Sequence, residues 1–364
     1  MSLDLPTLLD GAVVMAPMTK GSNLPYRRLC DELGATVTMG EMALSRKLKK
    51  GSRAEFALIR RHPSEKVFGV QLAGRDADEM AWAAALAVDR GADLVDINLG
   101  CPIQEITRRG LGSVLLEKPR KVCEMVRAMK MAVGDVPVTV KIRLAWSEGR
   151  FVHVKVAKAA VDGGADAIFV HGRTRQARYR RAADWDKIGE VVEAVPVPVV
   201  GNGDIQFPHE IEAFRAQAGC AGVMVARGAL IKPWIFKEAA DGEYWDISAA
   251  ERVAMGRRYV DLCKEHWGED ERGLANVRRF LLWHLDFWYR YVPRYPDGRF
   301  PKLQEREEAF EPRSELDAVL SRPDPAAHAW IADLLIHGEE RAGPMPDLPS
   351  EEDLEAHRDP IPQG

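Results

Sequence analysis

Residues 96–116 read DINLGCPIQEITRRGLGSVLL. An apolar run breaks at Asn98 and Gly100 and delivers a thiol, Cys101, with Arg108 and Arg109 shortly after it. Cys101 has no CxxC partner and no neighbouring His, so neither a zinc site nor a thiolate–imidazole pair is written there. A thiol without a group to lower its pKa is a proton donor at neutral pH, and a nucleophilic role would require a base beside it. Other candidates stand where apolar runs end: Pro17 and Met18 in APM, and the polar Gln71 in VFGVQL and His171 in AIFVHG. Lys141 and Arg143 interrupt VTVKIRLAW, and a buried ammonium there needs an anion or a polar ligand opposite it. Two glycine loops complete the set, GNGD (Asn202, Gly203, Asp204) and ARGAL (Ala226, Arg227, Gly228). Backbone N–H groups exposed by such loops suit a phosphate. A flavin phosphate and ring would satisfy these residues together, with the Lys141 ammonium near the pyrimidine end, where the reduced ring carries negative charge.

Positioning them on one rim requires a particular scaffold. Eight short runs fit strands: 13–16, 36–40, 67–72, 94–99, 138–143, 167–172, 197–202 and 222–227. Most are continuously apolar, as parallel strands covered on both faces are. Amphipathic stretches such as 77–92 and 119–134 lie between them, stopped by Gly91 and Gly134. Strand and helix alternating eight times give a (β/α)8 TIM barrel, with functional groups at the C-terminal strand ends. An open doubly wound sheet gives the same alternation, but no GxGxxG follows the first strand. From about residue 246 the pattern turns helical and rich in Arg and aromatics, over 245–268, 271–293, 314–321 and 324–338. The organisation expected is a catalytic barrel over 1–243, a C-terminal helical domain over 244–342 and a flexible acidic, proline-rich tail over 343–364.

With these stretches in view, the chain resembles the flavin-dependent tRNA-dihydrouridine synthases. VVMAPMTKGSNLPYRRLC, VFGVQLAG, DINLGCPIQ, VTVKIRLAW, VHGRTRQ, GNGDI and VARGALIKPWIF carry the resemblance, from about residue 11 to 340. EMALSRKL, ALIRRHPSEKVFGVQ, ADWDKIGE and the aromatic helices are similar to the eukaryotic class acting on the tRNA variable loop. That class usually carries N-terminal zinc fingers, whereas the barrel pattern here begins almost at Met1. The resemblance implies FMN as cofactor, NADPH as reductant, and tRNA as the partner whose uridine is reduced at C5–C6. It makes Cys101 the acid that protonates C5, and it places Asn98 against the flavin or the uracil edge.

The run HGRTRQARYRR (171–181) holds five arginines and no acid. Following His171 at the active rim, it suits RNA phosphates through Arg173, Arg175, Gln176 and Arg178, joined by Lys20, Arg108 and Arg109. Net charge is only −4, so a nucleic acid partner must be argued from such local clusters. The other four cysteines fall among apolar or helical residues and are expected to be inert and buried, and no metal-ligand spacing is present. No segment has the apolar length to span a bilayer, and MSLDLPTLLDG is not built as a signal peptide, so a cytoplasmic location is expected. A monomer is expected as well. Two rivals remain. A flavin barrel reductase of small pyrimidines or dihydroorotate would share the phosphate loops but need neither the arginine run nor the helical domain. A non-catalytic RNA-binding barrel would have no use for Cys101, Lys141 and His171.

Overall fold

The computed structural model describes residues 3–303 and 311–350. All eight strand candidates form: β1 (Val13–Met15), β2 (Val37–Met39), β4 (Phe68–Ala73), β5 (Leu94–Leu99), β6 (Val138–Arg143), β7 (Ala167–His171), β8 (Val199–Asn202) and β9 (Gly222–Val225). Every pairing is parallel, β1 bonds to both β2 and β9, and the β2–β4 pairing closes the ring, giving a TIM barrel. A two-residue β3 (Ala43–Leu44), unmarked in the sequence, extends the top of β4.

Alternation along each strand sends one set of side chains outward and the other into the barrel. The outward set (Val70, Leu72, Val95, Ile97, Val140, Ile142) packs under the helices α3 (Ala77–Asp89), α4 (Pro119–Val133), α5 (His153–Asp162), α6 (Trp185–Ala194) and α7 (Pro208–Ala218). The inward set forms a separate cluster, Val14, Val37, Met39, Leu94, Ala167, Phe169, Val200 and Met224. Leu5 and Leu9 of a short first helix, α1 (Leu5–Leu9), join that cluster, so α1 stoppers the N-terminal end of the barrel. At the other end the inward positions become polar.

The C-terminal part forms α9 (Ala249–Trp267), α10 (Glu271–Trp288), α11 (Glu315–Leu320) and α12 (Pro325–His337), following α8 (Ile235–Asp241). Helix α9 opens on a capping box formed by Ser248 and Glu251. It lies against α2 (Leu24–Glu32), the barrel's first connecting helix, through Arg28–Glu265 (2.7 Å) and Arg258–Glu32 (2.6 Å). Beneath these ion pairs Tyr26 stacks on His284 of α10 (ring centroids 4.0 Å apart). Asn23, the N-cap of α2, donates to the Tyr259 hydroxyl (3.2 Å). In the described part of the tail, the Gly343 and Pro346 carbonyls accept from Trp330 and Arg322. The tail over 351–364 lies outside the described residues. Among the described residues no helix is long and apolar enough to cross a membrane.

Burial of His284 holds its imidazolium form down, to a pKa of about 3. The unfolded chain would take up that proton near pH 6.5, so between these values the unfolded state binds more protons and stability rises with pH. The contribution is complete above about pH 6.5 and is lost as pH falls toward the folded value. At pH 5 this group alone should cost about 2 kcal/mol, and His284→Gln should remove part of the acid sensitivity seen in urea titrations at pH 5 and pH 7.5. An unaltered pH dependence in that variant would exclude His284 as its source.

Candidate active site

The cavity at the C-terminal end of the barrel is lined by all the residues that the strand ends and glycine loops single out for a flavin, and by Cys101. Strand parity explains the gathering: Gln71, Asp96, Asn98, Thr139, Lys141, Arg143, His171 and Asn202 all occupy inward positions of β4 to β8. Register then sets neighbours, placing Asn98 beside Lys141 and Arg143 beside His171.

Lys141 is half-buried, and its desolvation, followed by the Arg143 charge, lowers its pKa to about 8 against the pull of Asp96. Its Nζ donates to Asn202 Oδ1 (3.1 Å), while Asn202 Nδ2 donates to the Met224 carbonyl (2.7 Å). The ammonium has three protons and this one hydrogen-bond partner among the described residues, so it has protons to offer a bound acceptor. Burial, reinforced by Arg143, Lys141, Arg173 and Arg227, pushes His171 well below its ordinary pKa and leaves it neutral.

Cys101 sits at the mouth of the cavity. Its N–H donates to Asn98 Oδ1 (3.0 Å) and its carbonyl accepts from Ser113 N–H (3.2 Å), which fixes the turn that presents the thiol. Burial raises its pKa, and this outweighs a backbone hydrogen bond at Ile103 and the Arg143 charge, so the group is a thiol at neutral pH. Arg143 itself donates to the Gly100 carbonyl (2.8 Å) and to the Thr174 carbonyl (3.2 Å), tying the Cys101 turn to the loop after β7.

The glycine loops pack on one another as well as framing the cavity. A Cβ on Gly201 would fall 2.1 Å from the Trp185 ring, and one on Gly228 would fall 2.0 Å from the Ile205 carbonyl oxygen. Gly201 is therefore required by Trp185 on the outer face of β8, not by an anion. Gly203, at φ +142°, and Gly228 both border the cavity, as does Arg227.

Arg173 requires a correction. Only 2% exposed, it is no part of an outer RNA-facing surface. It makes two bonds to Asp204 (2.5 and 2.6 Å), and the same carboxylate accepts from Arg227 and from the Ala183 N–H. Tyr179 covers the cluster, with the Arg227 guanidinium 3.8 Å from its ring centroid. Arg175 lies over Trp146 and is half-buried, whereas Gln176, Lys20, Arg108 and Arg109 are exposed, the last paired with Glu105. Arg178 is half-buried in a left-handed conformation. None of these except Arg173 lines the cavity. Cys123 also departs from expectation: unlike Cys30, Cys220 and Cys263 it is half-buried.

Aromatic residues that the sequence did not place at the site also line it: Tyr179, hidden in the arginine run, and Trp283 and Phe287 of α10. The last two bring the helical part to the mouth of the barrel site. Among the described residues there is no cluster able to hold a metal ion.

The family model described as Dihydrouridine synthase (Dus) matches residues 14–291. A tRNA-dihydrouridine(47) synthase [NAD(P)(+)] of Coprinopsis cinerea is 41% identical over 351 residues, covering 92% of this chain and 51% of its own. A tRNA-dihydrouridine(47) synthase [NAD(P)(+)]-like protein of Homo sapiens is 39% identical over 341 residues, covering 93% and 51%. The chain thus spans about half the length of these relatives. Among solved structures, 6-hydroxypseudooxynicotine amine oxidase from Pseudomonas geniculata N1 is similar over 66% of this chain and 50% of its own, at 15% identity and a TM-score of 0.48.

Proposed function

Since the chain belongs to the dihydrouridine synthase family, we propose that it reduces the C5–C6 double bond of a uridine in tRNA, with FMN as cofactor and NADPH as reductant. The relatives' names point to position 47 as the target. In this reading residues 1–243 form the catalytic barrel, and 244–342 form a helical domain that binds RNA. The observation that carries it is Cys101, kept as a thiol by burial at the mouth of a cavity whose floor is Gln71, Asn98 and Lys141.

The site suits a flavin on its donor chemistry. Lys141 has protons to spare, the Gly203 and Gly228 loops with Arg227 border a place for the phosphate, and Gln71 and Asn98 offer amides to a ring edge. Once bound and reduced, the flavin supplies a hydride for C6 of the base. The chain's own task is the other half of the addition, to hold the base with C5 toward Cys101 and to give it the proton of Sγ. A uracil stacked within folded RNA must first leave the stack, and Trp283 and Phe287 provide an apolar wall for it. Arg175, Arg178 and Lys20 lie outside the cavity, where RNA backbone would pass.

The purified protein should be yellow, release FMN on denaturation, and with NADPH convert uridine in tRNA to dihydrouridine, read by nucleoside mass spectrometry. Free uridine should be a poor substrate. A colourless protein that takes up no FMN would end the flavin reading, and equal rates on uridine and tRNA would favour a small-molecule reductase.

A further inference from the structure

Below the cavity floor lies a buried carboxylate to which no role has been given. Asp96 is wholly enclosed on β5 and accepts from Thr139 Oγ1 (2.7 Å) and from Gln71 Nε2 (2.7 Å). Gln71 Oε1 in turn accepts from Asn98 Nδ2 (2.7 Å). Asn98 Oδ1 accepts from the backbone N–H groups of Cys101 (3.0 Å) and Gly100 (3.3 Å). The chain of bonds runs from the centre of the barrel to the turn that carries the thiol.

An amide side chain can present either end, so something must choose. An ionised carboxylate only accepts, and a backbone N–H only donates. Asp96 at one end therefore turns the Gln71 amide with its NH2 downward, and the two backbone donors at the other end turn the Asn98 oxygen toward themselves. The two constraints agree, and all four contacts are made at once. Each amide then keeps one N–H that neither Asp96 nor its partner amide uses, and both residues line the cavity. The floor is thus a donor surface, suited to a carbonyl oxygen or a deprotonated ring nitrogen.

We propose that Asp96 is a positioning residue, which acts through Gln71 and Asn98 to hold the Cys101 turn in place and to fix the floor of the cavity as a hydrogen-bond donor to carbonyl-bearing rings. The proposal rests on the reading of the site as a uridine-reducing one. Asp96 also faces Lys141, so a purely electrostatic role has to be distinguished from the relay.

Two variants separate them. Asp96→Asn loses the charge but keeps an oxygen for Gln71, with its NH2 turned to the Thr139 hydroxyl, which can accept. Asp96→Val loses both the charge and the acceptor, leaving the Gln71 amide without its lower partner. With flavin content and NADPH-driven flavin reduction measured first, Asp96→Val should lower kcat for uridine reduction about 10²-fold, as displacement of a catalytic group by about 1 Å does. Its KM for tRNA should be unchanged, and Asp96→Asn should recover most of the loss. If Asp96→Val yields no soluble flavoprotein, Asp96→Ser replaces it, since its hydroxyl is too short to reach Gln71, and the same loss is expected. Equal loss in the Asn and Val variants would assign the effect to charge on Lys141 and overturn the relay, as would wild-type turnover in Asp96→Val. Wild-type protein that binds flavin but reduces no uridine would instead defeat the reading of the site itself.

Discussion

Cys101→Ala is expected to stay yellow, to be bleached by NADPH at the normal rate, and to lose uridine reduction by about 10²–10⁴-fold, the range general acid catalysis contributes. The separation follows from where the thiol sits. Its backbone is held by Asn98 and Ser113, so removing Sγ leaves the turn and the floor of the cavity intact. Its proton is retained because burial outweighs the Arg143 charge, and a proton is needed only once hydride has reached the base. Single-turnover mixing of pre-reduced protein with tRNA would read this step directly. Wild-type turnover would assign the proton to water or another residue, and loss of colour would mean that the thiol serves flavin binding instead. Cys30, Cys220 and Cys263, buried among apolar groups, should leave this step unaffected when replaced by Ala.

The second large effect is on folding. Asp204→Ala should destabilise the barrel by about 3–5 kcal/mol, because it strands the buried Arg173 guanidinium without its carboxylate. Arg227 and the Ala183 N–H lose the same acceptor. Asp204 also stands at φ +58°, a conformation that Asp and Asn tolerate better than Ala. Asp204→Asn, with the backbone preference kept and one acceptor retained, should therefore cost less. Urea denaturation of the three proteins measures the order, and equal midpoints would show that Arg173 has other compensation.

The fold was largely legible because its strands are covered on both faces. Continuous apolar runs such as VFGVQL and LVDINL leave few alternatives, and polar residues at their ends stand out. Lys141 and Arg143, two apart on one strand, were readable as sharing a face. Pairing over distance was not readable. Arg173 sits in a run of arginines that looks like solvated charge, and its partner lies 31 residues on, in a loop chosen for its glycines. Gly201 looked like part of an anion cradle because nothing local says that Trp185 fills the space beside it. Trp283 and Phe287 were not legible as site residues for the opposite reason, since aromatics in a helix-rich region ordinarily pack the helices themselves, and Tyr179 was hidden among the arginines of a loop. The two-residue β3 and the five-residue α1 are too short for periodicity to mark.

The seam between α2, α9 and α10 has a consequence for taking the molecule apart. Tyr26, on the first connecting helix of the barrel, finds its stacking partner in His284, and the Asn23 that caps the same helix shares its amide with Tyr259. A fragment cut before Ala249 would bare these groups to water and remove Trp283 and Phe287 from the mouth of the cavity. The barrel is therefore packed as one body with the helices that follow it. Heating the protein should give one calorimetric transition, with the barrel and the helical part melting together, and transplanting either part onto a foreign partner would mean rebuilding the seam first.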